Sequence, residues 1–212
     1  MFRSKLTRFL KLVLFSGILL SIIEIASDQL NGSGQAQLAE GRAIIVRQGK
    51  EIEIDSYPIY FKDQDLIKTF DKGKVNLTLK GGDLIFLAPK TEIRFEEKLE
   101  TKGLVKISNR IMRLKGRLLA KIQGKTPTSI QIRTPNALVG VKGTEFVVEF
   151  LSKATNVGTI KGVVNLSSLA TGDNIDLNAG TMSSVSASGE VLSPKEFSGE
   201  LMREFEFAGG SM

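Results

Sequence analysis

Apolar and polar residues alternate with a period of two along most of residues 41–187. Val75, Leu77 and Leu79 alternate with Asn76, Thr78 and Lys80, the signature of a strand with one buried face. Ala43–Arg47 and the run 51–55 flank Gln48-Gly49-Lys50, with Ile52 and Ile54 on one side and Glu51, Glu53 and Asp55 on the other, so the pair reads as a hairpin. Similar runs over 65–69, 74–79, 83–87, 91–95, 104–108, 111–122 and 129–133 are separated by glycine and polar turns. The series continues over 155–160, 163–166, 174–177 and 181–186, and no run in this span keeps a helical period. The pattern predicts an all-β domain of short antiparallel strands, wound as a sandwich or a solenoid-like β-roll.

The two ends differ from this middle. Residues 1–11 hold four positive charges and no negative ones, and 12–23 is an uncharged run of mostly Leu, Ile, Val and Phe that meets Glu24. A bilayer core needs about 20 apolar residues, so the run fits the helical core of an export signal. Small residues in Gly34-Gln35-Ala36 suggest cleavage before Gln37; the alternative is an uncleaved signal anchor. Under either reading the positive-inside rule sends the chain from Gln37 onwards across the membrane. At the other end, Ser193-Pro194-Lys195-Glu196 is a helix-start pattern, and Phe197, Leu201, Met202 and Phe205 share one face at helical spacing. This predicts a short helix that docks on the β-domain or binds a partner, followed by a disordered end. The expected organisation is 1–36 signal peptide or signal anchor, 37–187 β-domain, and 188–212 helical tail.

The densest local signal is 134–148, TPNALVGVKGTEFVV. Pro135 fixes its own φ and pushes Thr134 towards extended geometry, so a strand ending at Arg133 turns there. Leu138, Val139 and Val141 are β-prone, Gly140 and Gly143 let the backbone bend, and Phe146 and Val148 begin an outgoing strand. The stretch is a strand, corner, strand unit, in which glycines serve backbone shape. Thr134, Pro135, Ala137, Val141, Lys142, Gly143, Thr144 and Phe146 together resemble the signature of FecR-type domains, with Lys142 in place of the commoner arginine. Residues 73–79, 82–84, 111–118, 162–166 and 177–180 resemble the other strands of that family. The resemblance implies a periplasmic β-domain. Eleven residues precede the apolar run and 25 follow Ala187, so it implies that domain without the family's sigma-binding N-terminal and receptor-contacting C-terminal domains.

Composition narrows the chemistry. The 212 residues include no histidine, cysteine or tryptophan, which excludes a Ser-His-Asp triad, a thiol nucleophile and zinc sites of the finger type. Glu51, Glu53 and Asp55, and likewise Glu92, Glu96 and Glu97, read as the wet face of strands rather than as acid and base. No phosphate-cradling glycine loop precedes a helix. No catalytic residue, cofactor site or metal site is expected, and the chain is read as a non-enzyme.

The net charge is +6; four basic and two acidic residues lie before Gln37, leaving 25 basic against 21 acidic beyond it. That balance is too mild to predict nucleic-acid binding. Arg113, Lys115 and Arg117 stand at every second position and form the candidate contact for an anionic partner, with Arg110 and Lys121 nearby. The sequence therefore points to an exported envelope protein, periplasmic or anchored by residues 12–23. It would act as a binding or scaffold module for an envelope protein or anionic cell-wall polymer, touching the membrane only through its N-terminal segment. The alternative is a membrane-anchored sensor subunit in FecR-like signalling.

Overall fold

The computed structural model of the protein describes residues 32–102, 105–123, 128–141 and 143–202. The expected signal helix, Lys142, Phe205 and the end of the tail lie outside the described residues. The compact β unit begins at Ser33. Its strands, in chain order, are β1 (Gly34–Glu40), β2 (Ala43–Arg47), β3 (Lys50–Glu53), β4 (Ile59–Phe61), β5 (Leu66–Thr69), β6 (Lys74–Leu79), β7 (Leu84–Leu87), β8 (Glu92–Lys102) and β9 (Val105–Lys121). There follow β10 (Thr128–Arg133), β11 (Ala137–Val141), β12 (Glu145–Leu151), β13 (Ala154–Lys161), β14 (Val163–Ser168), β15 (Asn174–Asn178), β16 (Thr181–Val185) and β17 (Lys195–Glu196). No α-helix occurs among the described residues.

All these strands join in one mixed sheet, and β9 is the reason. Its first part pairs with β8 along 105–115 and, in parallel, with β10 along 108–113. Its last six residues pair instead with β12 and, from 118, with β7. One arm of ladders thus runs β3-β2-β5-β8-β9-β10-β11-β14-β15. The other runs β4-β1-β6-β7-β9-β12-β13-β16-β17. Both arms feed a single core: Ile45, Ile67, Ile93, Met112 and Ile132 from the first meet Phe61, Leu77, Ile85, Val148 and Val157 from the second.

Three expectations change here. The strands are not all short or all antiparallel, because β8 and β9 run 11 and 17 residues and β9–β10 is parallel. Instead of two separate sheets of a sandwich, one strand serves both arms. The tail forms no α-helix from Pro194: Lys195 and Glu196 pair with Met182 and Thr181, and only a 3₁₀ turn, Gly199–Met202, follows. Packing decides this. The Phe197 ring fills the space above Gly158, where a Cβ would lie 2.2 Å from it, and Leu201 joins Leu119, Val147 and Met182 in a small outer cluster. A helix this short gains little by itself in water, so docked apolar area outweighs its start signals.

β1 was not foreseen. Its inward positions are the small Gly34 and Ala36, and Ala36 is fully buried. Gly34 pairs opposite Phe61 and Leu79, and Ser33 N–H donates to the Phe61 carbonyl at 2.8 Å. The alternate small residues that resemble a peptidase site are here what close strand packing requires. The domain accordingly starts before the expected Gln37 and extends past 187.

Candidate functional site

The Thr134-Pro135 corner closes the β10–β11 hairpin. Thr134 N–H donates to the Ala137 carbonyl at 3.0 Å, Ala137 N–H donates to Thr134 Oγ1 at 3.0 Å, and Thr134 Oγ1 bonds Thr155 Oγ1 at 2.7 Å. Asn136 Nδ2 reaches the carbonyls of Lys153, Val185 and Ser186, pinning the turn to the second arm. Ala137 and Phe146 are fully buried and Val141 packs against the same core. Gly143, with φ 62°, turns the chain from β11 in one arm to β12 in the other, and Thr144 follows buried, its N-terminal neighbour exposed.

Pro135 and Thr134 also form one wall of a groove of about 430 Å³ on the outer face of the first arm, lined with Leu66, Glu92, Arg94, Arg113, Lys115, Arg133 and Leu169. Strand register builds it. Arg94 on β8 stands directly opposite Arg113 on β9, and Arg113 is in register with Arg133 on β10. Three arginines therefore sit side by side across adjacent strands, about 4.8 Å apart at the backbone. Leu66 continues the row on one side and Leu138 on the other.

Like charges placed directly opposite one another destabilise a sheet, and the neighbouring rows obey that rule. Lys68, Glu92 and Lys115 alternate in sign, with Lys68 Nζ 2.9 Å from Glu92. Arg117, Glu149, Asn156 and Ser184 form a polar row across four strands of the other arm. Arg117 Nε donates to Glu149 Oε1 at 2.8 Å, and Asn156 Nδ2 donates to Glu149 Oε2 at 3.0 Å.

Within the arginine row compensation is partial. Arg113 donates to Glu96, with its second contact at 3.2 Å, and that bond holds the Glu96 carboxyl below its ordinary value against the upward push of burial. Arg94 donates to the neutral Gln64 carbonyl at 3.0 Å. Arg133 and Lys115 are exposed and make no hydrogen bond or ion pair among the described residues.

Of the expected stripe, the structure brings Arg113 and Lys115 together and removes Arg117. At Gly116 β9 passes from one arm to the other, so Arg117 joins the half-buried Glu149 pair on a different face. Arg110, on an even position, points inward and pairs with Glu97 at 3.3 Å, and Lys121 pairs with Glu145 at 3.0 Å. Arg94 and Arg133 were missed: each is the outward residue of a predicted strand, but register between strands distant in sequence is not written in local alternation. The carboxylates read as wet faces are largely taken up by cations, Glu53 by Arg42, Glu92 by Lys68, Glu96 by Arg113 and Glu97 by Arg110.

Replacing Arg117 by methionine is expected to cost about 2 kcal/mol, because Glu149 loses a charge-assisted partner while staying buried. Lys115→Met should stay within about 0.5 kcal/mol. Urea unfolding of both variants makes the comparison, and equal neutrality would return Arg117 to an open stripe.

An all-β frame whose signature corner walls a cationic groove is the class of protein these features define. Residues 65–165 match the family model described as FecR protein, and the chain carries a FecR-type domain. Two crystal structures of a proposed anti-sigma factor from Parabacteroides distasonis ATCC 8503 share its fold, with a TM-score of 0.51 and 21% sequence identity. The match covers 62% of this chain and 59% of theirs, so the chain spans about three fifths of the length of those structures. No curated protein matches the chain.

Proposed function

We propose that this protein is a non-catalytic, FecR-type sensor of the bacterial cell envelope. Its β unit contacts an anionic partner outside the inner membrane, and residues 12–23 connect that event to a membrane-embedded partner. The observation that carries the reading is the coincidence of the FecR match over 65–165 with the arginine row, all of whose members lie inside that segment. A rigid sheet whose charges are preorganised and only partly compensated is suited to reversible electrostatic recognition. It acts without a cofactor.

The β1 geometry favours the anchored form over a freely released binding module. Cleavage before Gln37 would withdraw Gly34 and the fully buried Ala36 from their ladders with β4 and β6. In fractionated cells the chain is expected to stay with the inner membrane after alkaline carbonate washing and to keep residues 12–23, as read by intact mass. Recovery in the soluble envelope fraction with a mature start near Gln37 would discard the relay.

A further inference from the structure

We propose that the groove at the Thr134-Pro135 corner is a binding site for a phosphate group carried on an organic body. This deepens the groove reading above and is independent of the membrane relay: loss of phosphate binding leaves membrane retention unchanged, so the two failures are told apart.

Charge sets the first requirement. Four cations, Arg94, Arg113, Lys115 and Arg133, line the groove against one carboxylate, Glu92, which is already held by Lys68 at 2.9 Å. Glu96 pairs with Arg113 and also lies in the field of Arg94 and Lys98, but it supplies only one further negative charge. What remains exceeds a single positive charge, so a carboxylate monoanion would leave the row largely uncompensated. A phosphate monoester near pH 7 carries ≈ −1.5 to −2 charge and three strong acceptor oxygens.

Geometry sets the second. Planar guanidinium forks match the oxygens of phosphate in paired hydrogen bonds. Stems about 4.8 Å apart on neighbouring strands present such forks from two sides of one anion. The bonding pattern leaves donors to spare: Arg133 and Lys115 have no partner among the described residues, and Arg94 is held only through Nη1 to a carbonyl. The sheet bears the repulsion of the row beforehand, so a dianion relieves it on binding, and attraction and relief act in the same direction.

The shape of the rim sets the third. Leu66 extends the row at one end, and Pro135 and the exposed Leu169 wall the groove beside the cations. Phosphate carried on an apolar body could come from a lipid headgroup; phosphate on a polar body could come from a soluble ester or polymer. The site recognises what these share.

The test is calorimetric titration of the full chain in a nonionic detergent at low salt. The probes are glycerol 3-phosphate, dihexanoyl phosphatidic acid and citrate. Both phosphate probes are expected to bind, and the double variant Lys115→Gln/Arg133→Gln is expected to weaken them by roughly tenfold or more, since charge-assisted bonds are about twice as strong as neutral ones. Lys50→Gln, in the exposed β2–β3 hairpin, should bind as the parent does. Tighter binding of the acylated probe, taken as the difference between parent and double variant, identifies a lipid source acting through Leu66 and Leu169; equal binding identifies a soluble one. If the double variant melts early, the single Arg133→Gln variant carries the comparison, since that side chain is exposed and unbonded. Absence of binding by both phosphate probes overturns the site, as does binding unaffected by the variants. Citrate binding as tightly as glycerol 3-phosphate overturns the assignment to phosphate.

Discussion

Replacing Gly116 by valine is expected to destabilise the fold by about 3 kcal/mol or more, a larger effect than any surface change in the groove. Gly116 has φ +108°, a region that side-chain-bearing residues rarely adopt. A Cβ there would lie 2.6 Å from Thr91 Oγ1 and 2.9 Å from the Lys90 carbonyl. Thr91 is fully buried and clamps the bend, accepting from Arg117 N–H at 3.0 Å and donating to the Arg117 carbonyl at 3.1 Å. A valine must therefore strain the backbone and displace the clamp at the single point where β9 passes between the arms. The parent and Gly116→Val proteins should differ in urea midpoint, with the phosphate-groove residues of the first arm losing protection from hydrogen exchange alongside the second arm. A loss below about 1 kcal/mol would mean that β9 crosses without needing a left-handed residue, and the role given to Gly116 in the crossing would fall.

A chain beginning at Ser33 is expected to unfold cooperatively with near-parental stability, whereas one beginning at Gln37 should lose about 2–5 kcal/mol, the range of a large core truncation. Three of the four residues between these starts, Ser33, Gly34 and Ala36, are small, yet they cover large neighbours. Phe61 is fully buried opposite Gly34, Leu79 is nearly so, and Ser33 ties both flanking elements by donating to the Phe61 carbonyl and accepting from Lys80 N–H at 2.9 Å. Removing them exposes Phe61 and Leu79 and unpairs one edge of β6. Thermal unfolding of the two truncations decides the matter. Equal melting points would show that the first half of β1 is dispensable and would reopen a start at Gln37.

The two variants probe what local pattern conveys and what it omits. Strand existence was legible wherever apolar residues alternate with polar ones. The runs 74–79, 129–133 and 181–186 reappear as β6, β10 and β16 within about a residue at each end. The first hairpin was legible as well, though its turn is Gln48-Gly49 alone, because Lys50 already pairs with Arg47. Gln48 and Gly49 both take positive φ, 49° and 78°, as a twist-matched hairpin turn requires. Strands without an apolar face escaped notice, and so did β4, Ile59–Phe61, which is too short to show alternation. β1 buries Gly34 and Ala36, whose size is dictated by Phe61 and the Thr78 backbone across the ladder, and β17 is held by Phe197 seated over Gly158.

The candidate site was half legible for the same reason. Arg113 and Lys115 share a strand face by parity alone, so alternation placed them together. Parity also placed Arg117 with them, because alternation continues through Gly116 while the sheet itself changes arm. Arg94 and Arg133 lie 19 residues before and 20 after Arg113 in the chain and meet it only through register.

By itself the sequence determined that this protein is built of strands, that its middle carries a FecR-type corner, and that histidine and cysteine chemistry are excluded. Those properties follow from side-chain period, local turn stereochemistry and composition, all of which act over a few residues. Only the tertiary structure decided that one long strand belongs to both arms, that the small residues Gly34 and Ala36 are packed inward, and that three arginines stand in one row. Those are matters of which distant segments lie side by side. That is settled when the whole apolar surface is buried at once, and no local stretch of chain contains the answer.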